Sequence, residues 1–209
     1  MVFLALPQRS TGFDFGRRTI DSFVMDRCPD CEFELSSLDT SEGLRGTASG
    51  WGYDETAWSR AADEITSSTR DAARILNVTE TVVLRRHSDS GVWSALEYAC
   101  HIRDVLLVQR ERVLAVRRGF GHEFRAMGRD ERVGHDGYND QLPEDVASQL
   151  HHAALLFTED LARLQLADWD LTMTYNFPAP AERSLRWVAV HTAHEVVHHV
   201  SDMRRSARA

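Results

Sequence analysis

Apolar residues recur at helical spacing in four long stretches. In the first, from about Asp54 to Asn77, Trp58, Ala61, Ala62, Ile65, Thr69, Ala72, Ala73 and Leu76 recur at helical spacing, and Asp54-Glu55 suit the positive end of a helix. The second opens at Trp93-Ser94-Ala95-Leu96-Glu97, where Ser94 and Glu97 make a capping box, and runs to about Arg118, with Gly119 and Gly121 as its stop. The third runs from Pro143 to about Gln165, with Glu144-Asp145 in its first turn and Leu150, Ala154, Phe157, Leu161 and Leu164 as its stripe. His151 and His152 fall on its solvated side. The fourth starts within residues 180–184 and closes on Met203-Arg204-Arg205, cations suited to a helix C-terminus.

The connections carry weaker signals. Val82-Val83-Leu84 fits either a short strand or the approach to the second helix, and residues 85–91 are polar. Residues 119–142 contain five Gly and no sustained period, and a connection this long suggests a lid that is functional or partly helical. Residues 167–181, with Trp169, Tyr175 and Phe177, read as an aromatic loop. Residues 1–24 show no period and are expected to be a disordered extension, or to precede a true start at Met25. Residues 25–53 form a small appendage with Cys28-Pro29-Asp30-Cys31 and a Ser/Gly/Thr-rich loop. The expected architecture is all-α: a four-helix bundle over residues 54–209 with a long loop between helices two and three.

Composition narrows the function classes. A chain of 209 residues suffices for one domain with a sizeable core. Its 32 acids against 24 bases give a net charge of −8, which offers no general attraction to nucleic acid or anionic membrane. Three Cys are too few for a disulfide framework, and no run approaches a membrane span or a signal-peptide core, so a cytoplasmic protein with a small-molecule substrate is expected.

The candidate chemistry lies near the C-terminus. Residues 191–199 hold four His and one Glu, and on a helix His191, His194 and His198 share a face. A buried imidazole cluster with nothing to bond it would cost on the order of a few kcal/mol, so a bound divalent ion is the simpler reading. His194-Glu195-Val196-Val197-His198 also matches the H-E-x-x-H string of zinc peptidases, in which the Glu is the general base. The peptidase reading needs a downstream third ligand, and apart from Asp202, close behind on the same helix, nothing after His199 can serve. The third ligand must come from upstream, and His101 on the second helix is the candidate, with carboxylates one turn either side to orient its other ring nitrogen. His101, His194 and His198 would leave a coordination position open for water or substrate, the mark of a catalytic metal. Cys28 and Cys31 have the spacing of half a zinc knuckle, which histidines would have to complete, or they flank a Pro-Asp turn. Cys100 reads as a small buried thiol.

Trp93-Ser94-x-x-Glu97 with the following His101, together with His194-x-x-x-His198-His199, resembles the DinB-like (DinB/YfiT) superfamily of metal-dependent four-helix bundles. The likeness spans roughly residues 54–204, and residues 25–33 with Tyr175-Asn176-Phe177-Pro178 are similar to an actinobacterial subgroup. It implies a zinc or nickel ion on His101, His194 and His198. It also implies a low-molecular-weight thiol such as mycothiol as co-substrate of an S-transferase, and a homodimer. Glu195 or Glu97 would then orient ligands or carry protons, and Arg103 or Arg110 would meet an acidic substrate. The maleylpyruvate isomerases of the superfamily resemble the chain less, since a Glu stands there in place of His194. A bundle that binds or senses metal without turnover, and an H-E-x-x-H hydrolase, are the competing readings.

Overall fold

The computed structural model describes Cys28, residues 56–176 and residues 180–208. The expectations for residues 1–24, Cys31 and the loop before Thr56 lie outside the described residues.

Helix α1, Ala57–Val78, buries Ala57, Ala61, Ile65, Thr69, Ala72 and Leu76, a stripe of three- and four-residue steps. Val82-Val83-Leu84 belongs to a single helical turn, α2 (Thr81–Leu84), which buries Leu84 and leaves Val82 exposed.

Helix α3, Ala95–Arg117, starts on the predicted capping box. The Ser94 hydroxyl accepts from the Glu97 amide at 3.2 Å, and the Glu97 carboxylate accepts from the Ser94 amide at 2.7 Å. It stops at Gly119, whose φ of +69° lets the Phe120 amide bond the Ala115 carbonyl and the Gly119 amide bond that of Val116, a Schellman closure.

The long connection contains helix α4, Arg129–His135, and a 3-10 turn at Tyr138–Asp140. Polar contacts fasten it to α3. The Tyr138 hydroxyl donates to Asp104 Oδ2 at 2.6 Å, Arg132 pairs with the same oxygen at 2.8 Å, and Asn139 bonds Ser94 and the Arg85 carbonyl.

Helix α5, Pro143–Ala162, opens on the proline and ends three residues before Gln165. His151 and His152 are exposed on it, as expected.

The stretch before the last helix is more regular than its composition suggests. Strands β1, Thr172–Tyr175, and β2, Ala181–Ser184, pair antiparallel with Thr172 opposite Ser184 and Tyr175 opposite Ala181. Residues 181–184 are therefore a strand rather than the first turn of a helix, because the Ser184 hydroxyl caps the Trp187 amide and holds the helix start at Leu185.

Helix α6, Leu185–Ser206, is buried almost all round in its first half and ends on Arg204 and Arg205. Helices α1 and α3 each pack against both α5 and α6, so they occupy opposite corners of an all-α four-helix bundle. Trp187, Phe157, Ile65, Leu96, Ile102, Leu106 and Leu150 are fully buried between them. Among the described residues no helix is long and apolar enough to cross a membrane.

Candidate metal centre

Helix α3 presents His101, 2% exposed, toward α6. Opposite it stand Glu195 and His199, one turn apart on α6 and therefore on one face. His101 Nε2 lies 4.0 Å from Glu195 Oε2, and His199 Nε2 lies 3.5 Å from the same oxygen. The two imidazoles meet edge to face, with ring centres 4.9 Å apart. The three ligand atoms lie within 4.8 Å of one another, and donors around one ion of this kind stand roughly 3.0–3.4 Å apart, so side-chain movement on the order of an ångström would close them onto a metal.

The surroundings fix these groups. His199 Nδ1 is 2.9 Å from Asp202 Oδ2, which turns Nε2 toward Glu195, and the Tyr98 ring stacks on the imidazole. His191 Nε2 faces Glu195 Oε1 at 3.6 Å, leaving Oε2 to the other two histidines. Gln109 Nε2 donates to the Tyr175 oxygen at 2.6 Å, so the Tyr175 hydrogen is available to His191 Nδ1 at 3.3 Å.

Charge is distributed unevenly over the cluster. Burial alone would raise the Glu195 carboxyl, but His101, His199 and His191 hold it well below its ordinary range. Burial would likewise depress His199, yet Asp202 and Glu195 lift it to about 9. Burial pushes His101 and His191 down and takes His194 to about 4. The cluster thus pairs a carboxylate with a protonated His199, beside His101, His191 and His194, which burial favours as neutral rings, while Cys28 and Asp202 raise His198.

A divalent ion would take the place of that proton. Two imidazoles and a carboxylate suit zinc, nickel or iron. His101 Nε2 is the nitrogen that faces Glu195, while its Nδ1 is buried with no hydrogen-bond partner among the described residues.

The cluster lines a cavity of about 420 Å³ between α3 and α6. Residues 126–129 of the long connection form part of its wall, and Gln109, Arg112 and Tyr175 also line it.

The structure distributes the sequence-derived candidates as follows. His101, His194, His198 and Glu195 all line the cavity. The ligand atoms that converge within 4.8 Å among the described residues belong to His101, Glu195 and His199, and to His198, His199 and Asp202; His194 is in neither group. The rings of His194 and His198 stack 5.7 Å apart beside the cluster, and Cys28 Sγ lies 3.3 Å from His198 Nδ1.

The carboxylates flanking His101 do not orient it. Glu97 is committed to the cap of α3 and to His87 Nε2 at 2.8 Å, and Asp104 to Arg103, Arg132 and Tyr138. Neither Arg103 nor Arg110 reaches the cavity. Arg103 bonds Asp104, Gln141 and Gln149, while Arg110 pairs with Asp160 at 2.7 Å and with Glu111. Cys100 is buried, and that burial pushes its thiol up to about 12, as an inert core residue requires.

The arginines that line the cavity are instead Arg112 on α3 and Arg129 at the start of α4. The signal for Arg112 was present in the spacing: positions 101, 105, 109 and 112 are the cavity face of α3.

A family model described as the DinB superfamily matches residues 61–203. The chain belongs to the DinB superfamily. It is thus a metal-binding DinB-type protein, and its α3 histidine and α6 His/Glu cluster are candidate ligands. No curated protein and no solved structure matches this DinB chain.

Proposed function

We propose that this DinB protein holds one divalent ion, zinc or nickel, on His101, Glu195 and His199. We further propose that it catalyses S-transfer from a low-molecular-weight thiol such as mycothiol to a small electrophilic substrate. The observation that carries the reading is the convergence of two imidazoles and a carboxylate, from facing helices, on the wall of a substrate-sized cavity.

When bound, such an ion lowers the pKa of a coordinated thiol and supplies a nucleophile at neutral pH. The protein's own residues do the rest. Asp202 holds the proton on His199 Nδ1 and keeps Nε2 free for the ion. The Gln109, Tyr175 and His191 chain steadies Glu195 from behind, and residues 126–129 restrict water at the cavity wall.

Elemental analysis of the purified protein tests the site. One equivalent of metal in the wild type, lost in both His101→Ala and His199→Ala, supports it; metal retained in either variant overturns it.

A second ligand set, His101 with His194 and His198, is favoured by one observation, the approach of Cys28 to His198. Metal lost in His194→Ala but kept in His199→Ala would select that set. Thiol binding separates an enzyme from a sensor: saturable mycothiol binding that requires the metal supports turnover, and metal without thiol binding supports a sensing or storage bundle.

A further inference from the structure

Arg112 is 9% exposed and lines the cavity, and among the described residues it pairs with no acid. Its guanidinium donates to the Arg125 carbonyl at 2.5 Å and to Gln109 Oε1 at 3.4 Å, and lies 5.5 Å from the centre of the Tyr175 ring. All three partners are neutral. The other arginines of this region are matched: Arg103 and Arg132 share Asp104, Arg110 takes Asp160 and Arg117 takes Asp168. A buried guanidinium without a counter-charge is costly, and the cost is recovered when an anion arrives beside it.

Position also matters. Arg112 stands eleven residues beyond His101 on the same face of α3, about 16 Å along the axis at the α-helical rise. Helical side chains lean back toward the N-terminus, and Arg112, longer than His101, shortens that gap. Val105, Ala126 and Met127 line the cavity as well, an apolar contribution to its wall. Glu131 and Glu195 line it too, and Arg129, the other arginine on the wall, already faces Asp130 at 3.4 Å, which disfavours a ligand of high negative charge.

We infer that Arg112 anchors a carboxylate of the substrate, and that the substrate is an elongated acid whose reacting centre lies at the His101 end of the cavity. The placement of the reacting centre rests on the metal reading above; the carboxylate anchor does not.

Calorimetric titration of the full chain, metal-free and zinc-loaded, with octanoate, octanamide, inorganic phosphate and ω-mercaptooctanoate tests this. Octanoate should bind both forms about tenfold or more tighter than the neutral octanamide, as expected for a charge-assisted contact in a desolvated site. Arg112→Met should remove that preference, leaving the acid and the amide equal. If the methionine variant does not fold, Arg112→Lys, which keeps charge but loses the fork, should cut the preference about tenfold. Octanoate that fails to bind, a preference that survives Arg112→Met or a folded Arg112→Lys, or phosphate binding tighter than octanoate would each overturn the carboxylate anchor. The thiol arm reports on the metal alone. A gain of ω-mercaptooctanoate over octanoate only with zinc supports the placement of the reacting centre; no such gain overturns that placement, while the octanoate result still judges Arg112.

Discussion

His199 and Asp202, one turn apart on α6, are joined at 2.9 Å between Nδ1 and Oδ2, and this contact decides which nitrogen of His199 faces His101 and Glu195. A carboxylate behind a ligating histidine fixes the ring and strengthens it as a donor. Asp202→Asn should therefore weaken zinc binding about 10- to 100-fold while the helical signal is retained. Competition with a chromophoric chelator reads the affinity. An unchanged affinity would remove Asp202 from the site.

Glu195 separates the proposed centre from an H-E-x-x-H hydrolase. In a peptidase the Glu lies behind the ion as general base, and its amide variant keeps the metal. Here Glu195 Oε2 stands between His101 and His199. Glu195→Gln should lose most of the bound metal in elemental analysis, and a fully loaded variant would favour the hydrolase. Because the ligands also bind protons, metal affinity of the wild type should fall as pH is lowered.

The bundle was legible because periodicity is a property of burial, and burial builds it: the α1 stripe, the Ser94–Glu97 box and the glycine stop of α3 all lie where the pattern put them. The centre was legible only in part. His191, His194, Glu195, His198 and His199 crowd two adjacent faces of α6, and which face meets His101 depends on the rotation of α6 against α3, which no local pattern encodes. The true partners of Glu97, Arg103 and Arg110 are set by contacts of the same tertiary kind. The connection over residues 119–142 has no period because it is fastened by Tyr138, Arg132 and Asn139 through polar bonds.

Glu97 is a test of that distinction. Its carboxylate closes the cap of α3 and lies outside the cavity. Glu97→Ala should lower stability by about 1 kcal/mol, in the range of a lost helix cap, with metal content unchanged. Chemical denaturation and elemental analysis of the same sample give both readings. Loss of metal at full folding would return Glu97 to the functional site.

Asp104 contributes to the acid sensitivity of the fold. Burial would raise its carboxyl, but bonds from Arg103, Tyr138 and Arg132 outweigh burial and hold it below its ordinary value. A group whose pKa is lower in the folded chain contributes stability above its unfolded pKa of about 3.9, and the contribution is lost as pH falls through the folded value. The wild type should therefore lose stability as pH drops below about 4, with residues 129–140 released from α3. Asp104→Asn removes the titrating group and leaves Arg103 and Arg132 without their shared charge. It should cost about 2 kcal/mol at neutral pH, the scale of hydrogen bonds to a charged group, and flatten the acid limb of the profile. Urea midpoints measured at neutral pH and below pH ~4 in both proteins check this. Parallel acid limbs would show that other carboxylates, and not Asp104, carry the acid sensitivity.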